Sequence, residues 1–235
     1  MQSLRLITFD VTNTLVKVKG SIGHEYCKIA ELYGIKCNSE DIINCMNANF
    51  KLTLKKTKKA SPAYGAVEGI TGYQWWDRVM HHTFTLSGVD ISSTDNENRF
   101  KQTTAHLYKY FSTSEPYQLV DGAEETLREI RDRKSDNCSI GVLSNSDERL
   151  PLILGELGVA HFFDFILVPL RMVKSLGNNV SIYSRNIEYY DEICNDLTTN
   201  HSVLIAQSIE FISNRLCNWM EVPIGLKSKF QLNVT

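Results

Sequence analysis

Leu4-Arg5-Leu6-Ile7-Thr8-Phe9 is a short β-prone run that stops at the polar stretch Asp10-Val11-Thr12-Asn13-Thr14. An apolar run of this length bounded by turn residues reads as a buried strand, and this one delivers Asp10 to its C-terminal edge. The same arrangement returns downstream. Ser139-Ile140-Gly141-Val142-Leu143 is a strand ending at Ser144-Asn145, and further strands are expected over residues 163–168 and 202–206. Helical periods separate them, over residues 123–133, 149–157 and 187–197. Strands alternating with helices imply a parallel sheet, whose ligands gather beyond the carboxyl ends of its strands. Asp10, Ser144 and Asn145 then share one edge.

Between the first strand and this alternating part, the pattern from about residue 20 to 115 is helical throughout, with breakers at Gly34, Gly88 and Pro116. Helices are predicted over residues 22–33, 39–54, 73–86 and 94–111. Asn38 or Ser39, followed by Glu40 and Asp41, places a cap and acids where a helix N-terminus favours them. The basic run at residues 51–59 reads as a solvated helix end and loop rather than a phosphate-attracting patch. Trp75 and Trp76, with Tyr73, Val79, Met80 and Phe84, form a packing stripe. His81 and His82 have no third ligand residue at metal-binding spacing.

The chain has 235 residues, 43% of them hydrophobic, enough for one good core and a smaller accessory layer. Its 25 basic and 27 acidic residues leave a net charge of -2, with no excess to attract nucleic acid or an anionic membrane. No apolar run approaches a membrane span, and the first residues lack the apolar core of a signal peptide. A soluble, cytoplasmic protein is expected. Six cysteines, without CxxC pairing, fit reduced thiols rather than a disulfide framework or a zinc site.

The segment Thr8-Phe9-Asp10-Val11-Thr12-Asn13-Thr14-Leu15 resembles the first motif of the haloacid dehalogenase-like (HAD) hydrolases, and Val142-Leu143-Ser144-Asn145 resembles their second. Asp121-Gly122 and His161-Phe162-Phe163-Asp164 add to the likeness, which runs from about Leu4 to Val168. The resemblance implies an α/β fold: a Rossmann-like parallel sheet made of residues 1–19 and 116–235, with residues 20–115 inserted as an all-helical cap.

It also implies a phosphatase whose nucleophile is Asp10, forming an aspartyl phosphate. The general acid-base position two residues on is Thr12, which predicts slow turnover, since leaving-group departure and water attack both need proton transfer. Transport ATPases, which share this catalytic domain, also carry threonine there. Ser144 and Asn145 fall to the phosphoryl oxygens. The family's lysine before a proline has no counterpart, because Lys-Pro occurs nowhere in the chain, and Lys174 is the replacement within reach in sequence. For Mg²⁺, Asp10 is one ligand; where the family shows Gly-Asp this chain has Ala206-Gln207, which leaves Glu210 as the second. Two functions follow. One is a slow Mg²⁺-dependent phosphatase acting on a small phosphorylated substrate. The other is a non-catalytic protein that keeps the fold and uses it to bind a protein partner.

Overall fold

Ile7, Thr8 and Phe9 are all buried, as a strand covered on both faces requires. The computed structural model describes residues 6–37 and 39–168 and the strand 203–206. The chain begins with β1 (Leu6–Phe9) and a short β2 (Val16–Val18), then enters the helices α1 (Ile22–Leu32), α2 (Glu40–Ala60), α3 (Gly72–Leu86) and α4 (Thr94–Tyr110). It returns through β3 (Tyr117–Leu119), followed by α5 (Ala123–Arg133), β4 (Ser139–Leu143), α6 (Leu150–Glu156), β5 (Phe165–Leu167) and β6 (Val203–Ala206).

The main sheet has the order β5-β4-β1-β6, and all three pairings are parallel. The α/β class and the parallel sheet expected from the alternating pattern are therefore present. Phe9 lies opposite Val142 of β4 and Ala206 of β6, so the residues following all three strands emerge at one edge. Gly141 sits opposite Phe165, and the Phe165 ring occupies the place where a Cβ on Gly141 would be. Asp164 fastens the start of β5 to β4. Its N–H donates to the Ile140 carbonyl at 2.7 Å, while its carboxylate accepts from the Ile140 N–H at 2.8 Å and from Arg131 at 2.7 Å. The core of this layer joins the sheet to α5 and α6 through Ile7, Phe9, Leu127, Ile140, Val142 and Leu154.

The helices between residues 22 and 110 bury their own cluster, including Tyr26, Met46, Phe84 and Leu107. Their starts are capped as their sequences direct: Ser21, Ser39 and Thr71 each accept from a backbone N–H three residues on, and Gln74 completes a capping box with Thr71. Gly23 lets α1 and α2 approach closely, because a Cβ there would run into the carbonyl of Ile43. β2 and β3 were not foreseen. They pair antiparallel, Val16 opposite Leu119 and Val18 opposite Tyr117, so the chain leaves for the helices and comes back through two adjacent strands.

Two expectations need correction. α2 runs to Ala60 rather than to residue 54, because the lysine-rich end is a good helix former and stops only at Ser61-Pro62, where the residue before proline disfavours the helix. Cys27 and Cys37 are joined in a disulfide, against the reading of all six cysteines as reduced. Gly34, with φ 78°, turns the chain back after α1, and the two Cα atoms lie 4.9 Å apart, within the span a disulfide bridges. Cys45 and Cys138 are free thiols. The helix expected over residues 187–197 lies outside the described residues. Among the described residues no helix is long and apolar enough to cross a membrane.

Candidate functional site

The turn after β1 winds around one carbonyl. The backbone N–H groups of Thr14, Leu15 and Val16 all converge on the Val11 oxygen at 2.9 to 3.1 Å, and Asn13 closes the turn in the left-handed region with φ 61°. Asparagine tolerates that conformation better than most residues. Asp10 thereby sits half-buried at the end of β1, while Thr12 projects to solvent on the turn. Burial pushes the Asp10 carboxyl above the ordinary carboxylate range, against the Val11 backbone hydrogen bond and the Lys58 charge, which both act to lower it.

On the neighbouring strand, Ser144 is buried just past the end of β4, its hydroxyl 3.0 Å from that of Ser146. The loop that follows carries a cluster the sequence did not disclose. Asp147 is buried and takes Arg149 through Nε at 3.0 and 3.1 Å, through a terminal nitrogen at 2.6 Å, and through the Arg149 backbone N–H at 3.0 Å. Trp76 of α3 donates its indole N–H to the same carboxylate. The Arg149 guanidinium lies over the rings of Trp76 and Tyr108, 5.1 and 4.5 Å from their centroids. Trp76 keeps its place in the packing stripe, stacked on Phe50, while its indole N–H reaches the Asp147 carboxylate; its neighbour Trp75 is fully buried and donates to the Ser61 carbonyl at 2.9 Å.

The helical side supplies a second unforeseen group. Lys58, in the run expected to be solvated, turns inward from α2 while Lys51, Lys55, Lys56 and Lys59 are exposed. Its ammonium donates to the Asn145 carbonyl at 3.4 Å and stands 5.2 Å above the ring of Tyr64, whose hydroxyl donates to that same carbonyl. Burial holds the Lys58 pKa below the usual lysine range, and Asp147 and Asp10 partly offset this. A signal for it existed. Phe50, Leu54 and Lys58 follow at four-residue spacing, so Lys58 continues the stripe by which Phe50 and Leu54 face inward.

These groups border a cavity of about 710 Å³ between the sheet edge and the helices, lined at its polar end by Thr12, Lys58, Asn145, Ser146, Asp147 and Arg149. Asp10 and Ser144 are not lining residues themselves; each stands one residue before a lining pair, Val11-Thr12 and Asn145-Ser146. Phe50, Leu54, Met80 and Leu107 line the apolar part. Lys174 and Glu210 lie outside the described residues.

Mg²⁺ takes oxygen ligands in near-octahedral geometry. The described residues do not by themselves compose its site. Among the described residues no three His, Cys, Asp or Glu side chains come together, and the oxygens of Asp147 are occupied by Arg149 and Trp76.

A family model described as haloacid dehalogenase-like hydrolase matches residues 4–175, spanning both strand-end motifs and everything between them. The chain belongs to the HAD-like hydrolases. Relatives of this HAD-like chain include the human haloacid dehalogenase-like hydrolase domain-containing protein 3, 35% identical over 164 residues, which cover 70% of this chain and 61% of that protein. The rhythmically expressed gene 2 protein of Drosophila melanogaster is 31% identical over 170 residues, 71% of this chain and 62% of the relative. The HAD-like chain thus spans about three-fifths of the length of these relatives. Among solved structures, a dehalogenase with an intermediate complex aligns with TM-score 0.51 at 17% identity, covering 87% of this chain and 76% of that one. The HAD-hydrolase YfnB of Bacillus subtilis, bound to magnesium, aligns with TM-score 0.50 at 13% identity, covering 94% and 100%. At such identities the likeness establishes the HAD fold alone.

Proposed function

We propose that this HAD-like hydrolase cleaves a small phosphate monoester slowly, with Asp10 as the nucleophile. The observation that carries this reading is the parallel register of β1 and β4, which brings Asp10 and the loop from Ser144 to Asp147 to one sheet edge, where the Lys58 ammonium reaches the Asn145 carbonyl. A carboxylate oxygen of Asp10 attacks phosphorus, the ester P–O bond breaks, and the departing alkoxide takes its proton from water, because the Thr12 hydroxyl is too weak an acid to give one readily. Water then attacks the aspartyl phosphate, releasing inorganic phosphate and restoring the carboxylate. Ser144 and Asn145 would steady the phosphoryl oxygens.

Mg²⁺ belongs to this reading through the family resemblance, with Asp10 and Glu210 as its ligands, and no step above is routed through it. Hydrolysis of p-nitrophenyl phosphate, with and without added Mg²⁺, by wild type and Asp10→Asn is the test. Hydrolysis that survives Asp10→Asn removes Asp10 from its role. Thr12 and Gln207, standing where the resemblance calls for acids, favour a second reading in which the chain binds a phosphorylated ligand or a protein partner without turnover. Absence of hydrolysis together with ligand binding selects it.

A further inference from the structure

Of the four cations that line the cavity, Lys51 is exposed and Lys17 is paired with Asp121, while Lys58 and Arg149 turn inward and differ in what holds them. Arg149 is fully engaged: its guanidinium is neutralised by the Asp147 carboxylate and covered by two aromatic rings. Lys58 is not. Among the described residues no carboxylate comes within ion-pair distance of it, and its contacts are the neutral Asn145 carbonyl at 3.4 Å and the face of Tyr64. An ammonium carries three donors, so one long bond to a carbonyl leaves donors directed into the cavity. Keeping a cation half-buried in this way costs free energy unless an anion repays it.

We propose that Lys58 of α2 is the residue that receives the anionic phosphoryl group of the ligand. This rests on the reading of Asp10 as the reacting carboxylate. The same ammonium that offsets the charge of Asp10 would offset that of the incoming phosphate, so nucleophile and anion can approach each other. Asn145 and Tyr64 hold the lysine stem in place: the carbonyl fixes one N–H and the ring supports the cation from beneath. The lysine that the family resemblance sought in Lys174 is supplied from the helical side. A substrate is then bound by groups from both layers, its phosphate at the polar end between Lys58 and the turn after β1.

The test uses inorganic phosphate as the probe, titrated calorimetrically into the full chain, with p-nitrophenyl phosphate hydrolysis measured alongside. Lys58→Met should weaken phosphate binding by about 10- to 100-fold, the range expected when a charge-assisted hydrogen bond is removed. Lys58→Arg should bind within a few-fold of wild type, whereas Lys58→Gln, which keeps a donor for Asn145 without the charge, should bind as weakly as Lys58→Met; a lysine that served only as a strut to Asn145 would leave Lys58→Gln near wild type. If Lys58→Met does not fold, Lys58→Gln alone carries the test. Equal phosphate affinity in wild type and the neutral variant overturns the proposal, as does failure of the wild type to bind phosphate at millimolar concentration. The two readings fail separately. Lys58-dependent phosphate binding without hydrolysis refutes only the phosphatase reading, whereas Asp10-dependent hydrolysis with a KM unchanged in the neutral variant refutes only the role of Lys58.

Discussion

Asp147 and Arg149 face each other across a single intervening residue, their side chains only 6% and 11% exposed, and the pair fastens the loop after β4 to Trp76 of α3 and Tyr108 of α4. Removing one member strands the other. Arg149→Met should destabilise the protein by about 3 kcal/mol, the scale for breaking a buried ion pair from one side. Arg149→Met with Asp147→Asn should recover part of that loss, because the remaining amide carries no uncompensated charge. Urea denaturation of wild type and the two variants measures it, and a single-variant cost below about 1 kcal/mol would place the pair among the weak surface bridges.

Asp10 should make the protein less stable than it need be. Its folded pKa is raised by burial, so the folded state holds its proton more tightly than the unfolded chain does. The stability tied to the protonated form is fully present below the ordinary carboxylate pKa and is lost as pH rises through the raised folded value. Asp10→Asn, measured with a chelator so that no divalent cation compensates, should therefore raise Tm at neutral pH. A gain on the order of 2–4 °C corresponds to each kcal/mol at this chain length. The gain should shrink on acidification. A variant less stable than wild type at pH 7 would show that the carboxylate is held favourably after all.

Restoring the missing acids should act in combination. General acid-base assistance is worth about 10² to 10⁴-fold in an intact site. Thr12→Asp alone should help little while Gln207 leaves cation binding weak, and Thr12→Asp with Gln207→Asp should help more. Mg²⁺ affinity and hydrolysis rate are compared across wild type, Asp10→Asn and these two variants. Brisk Mg²⁺-dependent hydrolysis by the wild type would show that the residues now present suffice.

The disulfide makes a prediction of its own. Peptide mapping without reductant should recover Cys27 and Cys37 in one linked fragment. Replacing both by alanine should lower stability by about 2–3 kcal/mol, the scale for a bond closing a short loop. Separate, alkylated Cys27 and Cys37 peptides from the unreduced protein would refute the linkage.

The sheet strands and four helices of the long insertion were legible because each carries its own signal. Apolar runs end at Asp10 and Ser144, a cap stands at Ser39, and Gly34 and Gly88 close helices with φ 78° and 76°. β2 and β3 were not legible, since three residues such as Val16-Lys17-Val18 are too few to display a period, and their pairing depends on a partner about a hundred residues away. Around the cavity, the position of Asp10 and Ser144 at one sheet edge could be read from the strands they follow. The direction of Lys58 could not be taken from its basic surroundings, because five lysines within residues 51–59 look alike until the phase set by Phe50 and Leu54 selects one. The Asp147–Arg149 pair escaped because its meaning lies in Trp76 and Tyr108, which only the fold brings near.

The ribbon of β2 and β3 carries both passages of the chain between sheet and helices, side by side. With both covalent connections at one place, everything else that joins the helices to the sheet is noncovalent. Across the cavity Lys58, Tyr64 and Trp76 all fasten to residues 145–147. That short loop therefore draws the helical layer onto the sheet edge through three side chains at once, and a substitution that distorts it would be felt in α2 and α3 alike.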